Sequence, residues 1–270
     1  MEERISISIA DGIADVRLVR ADKMNALDVA MFEALVAATD RLSKEKGVRA
    51  VVLSGEGRAF CAGLDMGRFA AMKEKGGNGI AGGEKRDLTA RTHGLANHAQ
   101  QAVWGWRRLP VPVIAAIQGV AFGGGFQLAL GADMRFLTPD ARMSIMEIKW
   151  GLVPDMAGTP ILASLVRDDI LRELTYTGRI FSAQEALSYG LATRICDDPR
   201  AEAFALAREI AGKSPDAIRA AKRMLNNLSV DPGAALLAES VEQMELMGGA
   251  NQLEAVRANI DKRAPRFVDV

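Results

Sequence analysis

This chain of 270 residues is short of the groups that most often announce a site. It has two cysteines, Cys61 and Cys196, and two histidines, His93 and His98. The cysteines stand far apart with no metal-ligand spacing, which speaks against a disulfide framework or a structural zinc. The histidines are five positions apart and on a helix would face different sides, so no metal site is expected. Net charge is zero, from 34 basic and 34 acidic residues, and gives no support to a nucleic-acid or anionic-membrane surface. No apolar run approaches the ~20 residues that span a bilayer. The start, Met1-Glu-Glu-Arg4, leads straight into Ile5-Ser-Ile-Ser-Ile9 and lacks the apolar core of a secretory leader, so a cytoplasmic protein is expected. Phosphate and nucleophile signatures are missing too. There is no G-x-x-x-x-G-K-[ST], no dinucleotide fingerprint between a strand and a helix, and no G-x-S-x-G.

What remains is an ordinary globular composition, 49% hydrophobic and 25% charged, at a length that suits one large domain with or without an appendage. Ile5, Ile7 and Ile9 alternate as an edge strand, and Asp11-Gly12 turns the chain into a second strand near Val16–Val19. Leu27 to Leu42 carries a helical stripe, and Arg49–Leu53 reads as a strand. Residues 66–108 contain several glycine pairs. Their two ends read as helix and their middle, 76–83, as an irregular binding segment. Val111–Ile117 is a short β-branched core strand, followed by Gly123-Gly124-Gly125, an amphipathic run and the strand Met134–Leu137. Ser182-Ala-Gln-Glu185 is a capping box. Ser214-Pro215 and Asp231-Pro232 each place a cap before a proline. From about residue 200 the pattern is helical only, so the expectation is a core over 1–199 and a helical region over 200–270 that packs on the core or on another subunit. The class is α/β.

Two glycine turns follow strands, Phe60-Cys-Ala-Gly-Leu-Asp65 and Ala121-Phe-Gly-Gly-Gly125. If those strands are neighbours, backbone N–H groups from both turns converge on one oxygen, as a developing oxyanion requires. Together with Asn25-Ala26-Leu27, Pro112-Val-Ile-Ala-Ala-Ile-Gln-Gly119, Thr177-Gly178, and Asp261-Lys-Arg263 with Phe267, these segments resemble, in order, the crotonase (enoyl-CoA hydratase/isomerase) superfamily over nearly the whole chain. The resemblance implies a spiral of ββα turns, a C-terminal helical trimerisation region, and a homotrimer or dimer of trimers. It implies acyl-CoA substrates and no cofactor beyond the coenzyme A of the substrate itself. By position, Leu64 and Gly124 would supply the oxyanion N–H pair, flanked by Gly63 and Gly125. Ala26, Ala62, Asp65 and Met66 would lie along the adenine and pantetheine. Lys23, with Lys262 and Phe267 from this or a neighbouring subunit, would approach the phosphates and adenine.

The reaction turns on the carboxylates. Where hydratases of the superfamily carry two glutamates, this chain has Gln127 and Glu147. Gln127 can orient a water but cannot exchange a proton. Glu147, in the apolar setting Ser144-Ile-Met-Glu-Ile148, suits a general base with a raised pKa. Asp155, eight residues on, matches a second carboxylate of Δ3,5-Δ2,4-dienoyl-CoA isomerases, whereas Gln127 replaces an aspartate of those enzymes. The expectation is therefore a double-bond isomerase with Glu147 as base and Asp155 as partner. The alternatives are an enoyl-CoA hydratase using Glu147 and Gln127, and a non-catalytic acyl-CoA-binding or RNA-binding member.

Overall fold

In a computed structural model of the chain, which describes residues 3–65, 67, 87–228 and 232–270, Asp11 and Gly12 take φ values of 53° and 75°. A tight two-residue hairpin requires that pair of angles. It joins β1 (Ile5–Ala10) to β2 (Ile13–Leu18) as antiparallel neighbours. Beyond β2 the sheet is parallel. It takes in β3 (Ala50–Gly55), β4 (Val113–Ile117), β6 (Met134–Leu137) and β9 (Arg194–Ile195), in the order β1-β2-β3-β4-β6-β9.

Every residue of β3 and β4 is buried, as in strands covered on both faces. Their alternate side chains divide between two cores. Val51, Leu53, Val113 and Ile117 join Phe32 and Leu35 of α1 (Val29–Leu42) and Val103 and Trp106 of α2 (His98–Arg108). Val52, Ile114 and Ala116 meet Ala203 and Ala207 of α7 (Pro199–Ala211) on the other side. That helix follows the expected boundary at 199/200, yet its inner face belongs to the core. Asp28, rather than Leu27, starts α1: its carboxylate accepts from Met31 N at 2.8 Å.

A second sheet, β5 (Val120–Phe122), β7 (Arg142–Ser144) and β8 (Phe181–Ser182), runs beside the first. Single parallel bridges, Cys61 with Ala121 and Leu27 with Leu64, continue it. Successive turns of chain thus lay one strand in the large sheet, a shorter strip in the small one, and then a helix. This is the expected ββα spiral. The glycine-triplet helix α3 (Gly124–Leu130) is pinned by Phe126, fully buried and edge-on to Phe181 at 5.6 Å; burying such a ring contributes about 2–3 kcal/mol.

Between β7 and the C-terminal helices lie α4 (Gly158–Leu162), α5 (Asp168–Thr177) and α6 (Ala183–Ser188), the last opened by the expected Ser182–Glu185 capping box. Ser214 caps α8 (Pro215–Asn226) as expected; Asp231, expected to cap α9 (Pro232–Leu246), lies outside the described residues, as does the 76–83 segment. Helix α8 docks through a half-buried ion pair, the buried Lys222 Nζ to Asp133 at 2.7 Å, with the Val111 carbonyl at 2.8 Å. After α10 (Ala250–Ile260) the chain returns to the start of β3, where Arg49 holds the Phe267 carbonyl and the Asp269 carboxylate. No helix among the described residues is long and apolar enough to cross a membrane.

Candidate active site

The parallel strands deliver their following loops to one cavity of about 520 Å³, lined by residues from 22–32, 62–65, 67, 122–124 and 146–156. Its wall is mostly apolar: Leu27, Phe32, Phe122, Met146, Leu152 and Met156, with the exposed Trp150 and Val153. Lys23 is the one cation in the lining among the described residues, and it is exposed.

Two polar side chains shape the entry to the first glycine turn. Asn25 is fully buried with φ 55°, a left-handed conformation that asparagine tolerates better than most residues. Its amide accepts from Arg20 N at 2.9 Å and donates to the Glu56 and Ala59 carbonyls at 3.0 and 2.9 Å. Arg20 then reaches the Ala26 carbonyl at 3.0 Å and the Asp65 carboxylate at 2.5 Å. Burial acts to raise the Asp65 pKa, but the bond and charge of Arg20 outweigh it and hold the carboxyl below its ordinary value. Cys61, inside the same turn, has its thiol pushed up to about 12 by complete burial, so it is a packing residue and not a nucleophile.

The bridge between Leu27 and Leu64 uses Leu27 N to Gly63 O (2.8 Å) and Asp65 N to Leu27 O (3.1 Å). That pattern turns the intervening Leu64 N–H to the opposite side of the strip. On the second turn Gly123 takes φ 50°, ψ −121°, open only to glycine, and donates its N–H to Ser144 O at 3.0 Å. Gly124 then begins α3, where an N–H has no intrahelical partner. Neither Leu64 N nor Gly124 N meets an acceptor among the described residues. The two turns touch: a β-carbon on Gly63 would fall 3.7 Å from Gly124 N. Both residues line the cavity, so two uncommitted donors stand on adjoining turns of its wall.

Glu147 opens a short 3-10 turn directly after β7, beside Gly123. Its Oε1 accepts from Gln127 Nε2 at 2.6 Å, while Oε2 is buried without a partner among the described residues. Burial raises its pKa, and the negative charge of Asp155 adds to the rise against the lowering effect of the Gln127 bond. Asp155 also lines the cavity, its pKa raised by burial, and has no ion pair among the described residues. Gln127 is 1% exposed and does not line the cavity. Its Oε1 accepts from Met156 N at 2.9 Å and Gly158 N at 3.0 Å. Ala157, left-handed at φ 65°, stands between those two residues, and such a bend aims alternate N–H groups at one oxygen.

The arrangement, two backbone donors facing an apolar cavity with carboxyl groups beside it, was compared with known proteins. The family model described as enoyl-CoA hydratase/isomerase matches residues 8–269. The chain belongs to the enoyl-CoA hydratase/isomerase family. A Bacillus subtilis protein named "probable enoyl-CoA hydratase" is 32% identical over 97% of this chain and 98% of its own length. The mitochondrial Δ(3,5)-Δ(2,4)-dienoyl-CoA isomerase of Mus musculus is also 32% identical, over 95% of this chain and 79% of that protein. The crystal structure of an enoyl-CoA hydratase from Bacillus anthracis superposes with a TM-score of 0.87, at 31% identity, over 98% of this chain and 99% of that one.

Most residues expected to form the family's site line the cavity: Lys23, Ala26, Ala62, Gly63, Leu64, Asp65, Gly124, Glu147 and Asp155. Met66 lies outside the described residues. Gly125, Gln127 and the histidines stand otherwise than expected, and Lys262 and Phe267 stand away from this chain's own cavity, which leaves their neighbouring-subunit alternative. Gly125 does not line the cavity; it lets α3 pass Cys61, where a β-carbon would meet the Cys61 carbonyl at 2.3 Å. Gln127 faces Glu147 and the 156–158 turn rather than a water in the cavity. Lys262 is exposed, and Phe267 is tied to Arg49 at the N-terminal end of β3, away from the loops that build the cavity. The histidine rings, expected on different helix faces, lie 5.6 Å apart because only His98 is helical. Sequence reading missed Arg20, whose partner is 45 positions away. It also missed the apolar wall of Phe32, Met146, Leu152 and Met156, which no local pattern marks as lining.

Proposed function

We propose that this family member moves a double bond along an enoyl- or dienoyl-CoA thioester, with Glu147 as the base and the Leu64 and Gly124 N–H groups holding the enolate oxygen. The observation that carries the reading is the inequality of the two side chains beside the glycine turns. Glu147 keeps one oxygen without a partner among the described residues and holds its proton above the ordinary glutamate range, whereas Gln127 cannot titrate and is turned from the cavity. Two N–H donors on the thioester oxygen acidify the neighbouring carbon, and losing one such donor costs about 3–4 kcal/mol. Glu147 takes a proton from one carbon; the C–H electron pair becomes the new double bond and the oxygen takes the negative charge. The charge then returns to the chain as a proton is delivered to another carbon. Atoms and electrons are conserved, so the reaction calls for no cofactor beyond the substrate's own coenzyme A.

Asp155 would serve as the second acid–base group where the two carbons are too far apart for Glu147 alone; burial raises its pKa above the ordinary aspartate value, in the direction a proton donor needs. The apolar wall fits an acyl chain. Ala26, Ala62, Gly63 and Asp65 are assigned to the pantetheine and adenine, with Met66 beside them, and Lys23 to the phosphates. Residues 200–270 are assigned to oligomerisation as a homotrimer or dimer of trimers. The exposed Leu236, Leu237, Val241 and Met244 support this, and sedimentation tests it. Lys262 and Phe267 would then serve a neighbouring subunit's cavity.

The hydratase names of two relatives favour a second reading, addition of water to a 2-enoyl-CoA; with Gln127 turned away, Asp155 would share the water with Glu147. A panel of 2-enoyl-, 3-enoyl- and 3,5-dienoyl-CoA esters followed by ultraviolet absorption separates the readings. Isomerisation creates conjugation from the 3-enoyl ester or extends it to a 2,4-diene. Loss of the 2-enoyl chromophore alone supports the hydratase reading. No change with any ester overturns both in favour of a binding protein.

A further inference from the structure

We infer that Gln127 is the positioning residue of Glu147: its amide is locked in one orientation so that Nε2 always faces Glu147 Oε1 and leaves Oε2 as the oxygen that carries the proton. This rests on Glu147 being the acid–base group of the proposed reaction. The lock is visible in the donors. Two backbone N–H groups, Met156 N and Gly158 N, converge on the Gln127 oxygen. A flipped amide would set an NH2 group against both, which leaves one assignment of oxygen and nitrogen. The NH2 end then donates to Glu147 Oε1 at 2.6 Å. Bound in this way, Oε1 cannot readily exchange with substrate, and the proton falls to Oε2, buried and without a partner among the described residues.

The chemistry also explains why an amide stands here rather than a second carboxylate. A carboxyl group at 127 would keep one oxygen on the two N–H groups and press the other against Glu147 Oε1. Two carboxylates at that separation share a proton between them. Glutamine carries no such proton and supplies a fixed donor to Glu147. Gly158 is part of the device: a β-carbon there would lie 2.8 Å from Gln127 Oε1, so any larger residue displaces the amide.

Two variants test this without touching Glu147. Gln127→Met keeps the length and removes the donor. Gly158→Ala keeps the amide and pushes it from its seat. Each is checked for folding by near-ultraviolet circular dichroism. The Glu147 titration is followed by 13C NMR with labelled glutamate, assigned by difference from Glu147→Gln. Both variants are expected to move that titration to higher pH. Both should lower kcat about 10- to 100-fold, as loss of a hydrogen bond to a charged group implies, with KM changed by less than about 3-fold and the acid limb of the pH profile moving with the titration. A lower kcat with the titration and pH limb unmoved makes Gln127 a packing residue and overturns the inference. A moved titration with kcat retained overturns it as well. Full turnover by Glu147→Gln sinks the proposed function instead, and the NMR shift still decides whether Gln127 governs Glu147.

Discussion

Gly63 packs so closely beneath Gly124 that a β-carbon on it would fall 2.5 Å from the Phe122 carbonyl and 3.7 Å from Gly124 N. Gly63 also holds φ 88°, which a side chain rarely adopts. Gly63→Ala must therefore part the two turns. The expected result is a loss of kcat of about 10²–10³-fold, the size found for losing an oxyanion donor, with far-ultraviolet circular dichroism close to wild type. A rate near wild type would show that the turns do not act as a pair.

The raised pKa of Glu147 has consequences for rate and for stability. A base must be ionised, so kcat/KM is expected to climb with pH along a limb lying above the ordinary glutamate value of 4.5. The folded state binds this proton more tightly than the unfolded chain. Its contribution to stability is present at low pH and is lost as pH rises from the ordinary value through the raised one. Glu147→Gln removes that loss. Thermal unfolding as a function of pH should show the variant gaining on wild type across this window and keeping the advantage at neutrality, while activity disappears.

Asp65 titrates in the opposite sense. Arg20 keeps it ionised, so its contribution is present above the ordinary aspartate range and is lost as pH falls through the lowered value. The partners are 14% and 20% exposed, sheltered enough for Asp65→Asn to cost about 1–3 kcal/mol in urea unfolding at pH 7. That difference should shrink in acid. Because the 61–65 strip loses its tether, KM for a CoA ester should rise more than kcat falls; an unchanged KM would remove Asp65 from the substrate side of the cavity.

Lys222 offers a test remote from the chemistry. Burial lowers its pKa, and the Asp133 charge opposes that. Lys222→Met leaves Asp133 with Val113 N at 2.7 Å and Arg107 at 3.9 Å. Losing a hydrogen bond to a charged group costs about 1.5–3 kcal/mol. Urea unfolding should register that loss, and limited proteolysis should cut first within the C-terminal helices.

What could be read from the sequence was chemistry settled within a few positions. Asp11-Gly12 needs only its own φ angles to make a hairpin, Ser182 caps with Glu185 three residues on, and a Gly-Gly-Gly run marks a backbone that something must approach closely. The residues that eluded reading answer to partners far along the chain. Nothing near Gln127 says that Met156 N and Gly158 N return to it 29 and 31 positions later. An amide at that place reads equally well as a holder of water. Ala203 and Ala207 are too small to make a conspicuous stripe, so the sequence left open whether α7 packs on the core or on another subunit; its inner face packs on the core. Phe267 carried a family resemblance, but its seat is decided by Arg49, 218 positions earlier.

The strip-by-strip construction of the small sheet separates two tasks. The N–H pair comes from the turns at 63–64 and 123–124, held by bridges to Leu27 and Ala121 and by Ser144. The carboxyl groups come later, on the 147–155 segment laid down after β7. In the proposed reaction, polarising the thioester and handling its proton would thus fall to different modules of one scaffold. On that proposal, substitutions at 127, 147 and 155 are expected to alter proton handling while the polarising module stays intact. A division of this kind lets one scaffold serve both chemistries, and proteins with hydratase and isomerase names both align with nearly the full length of this chain.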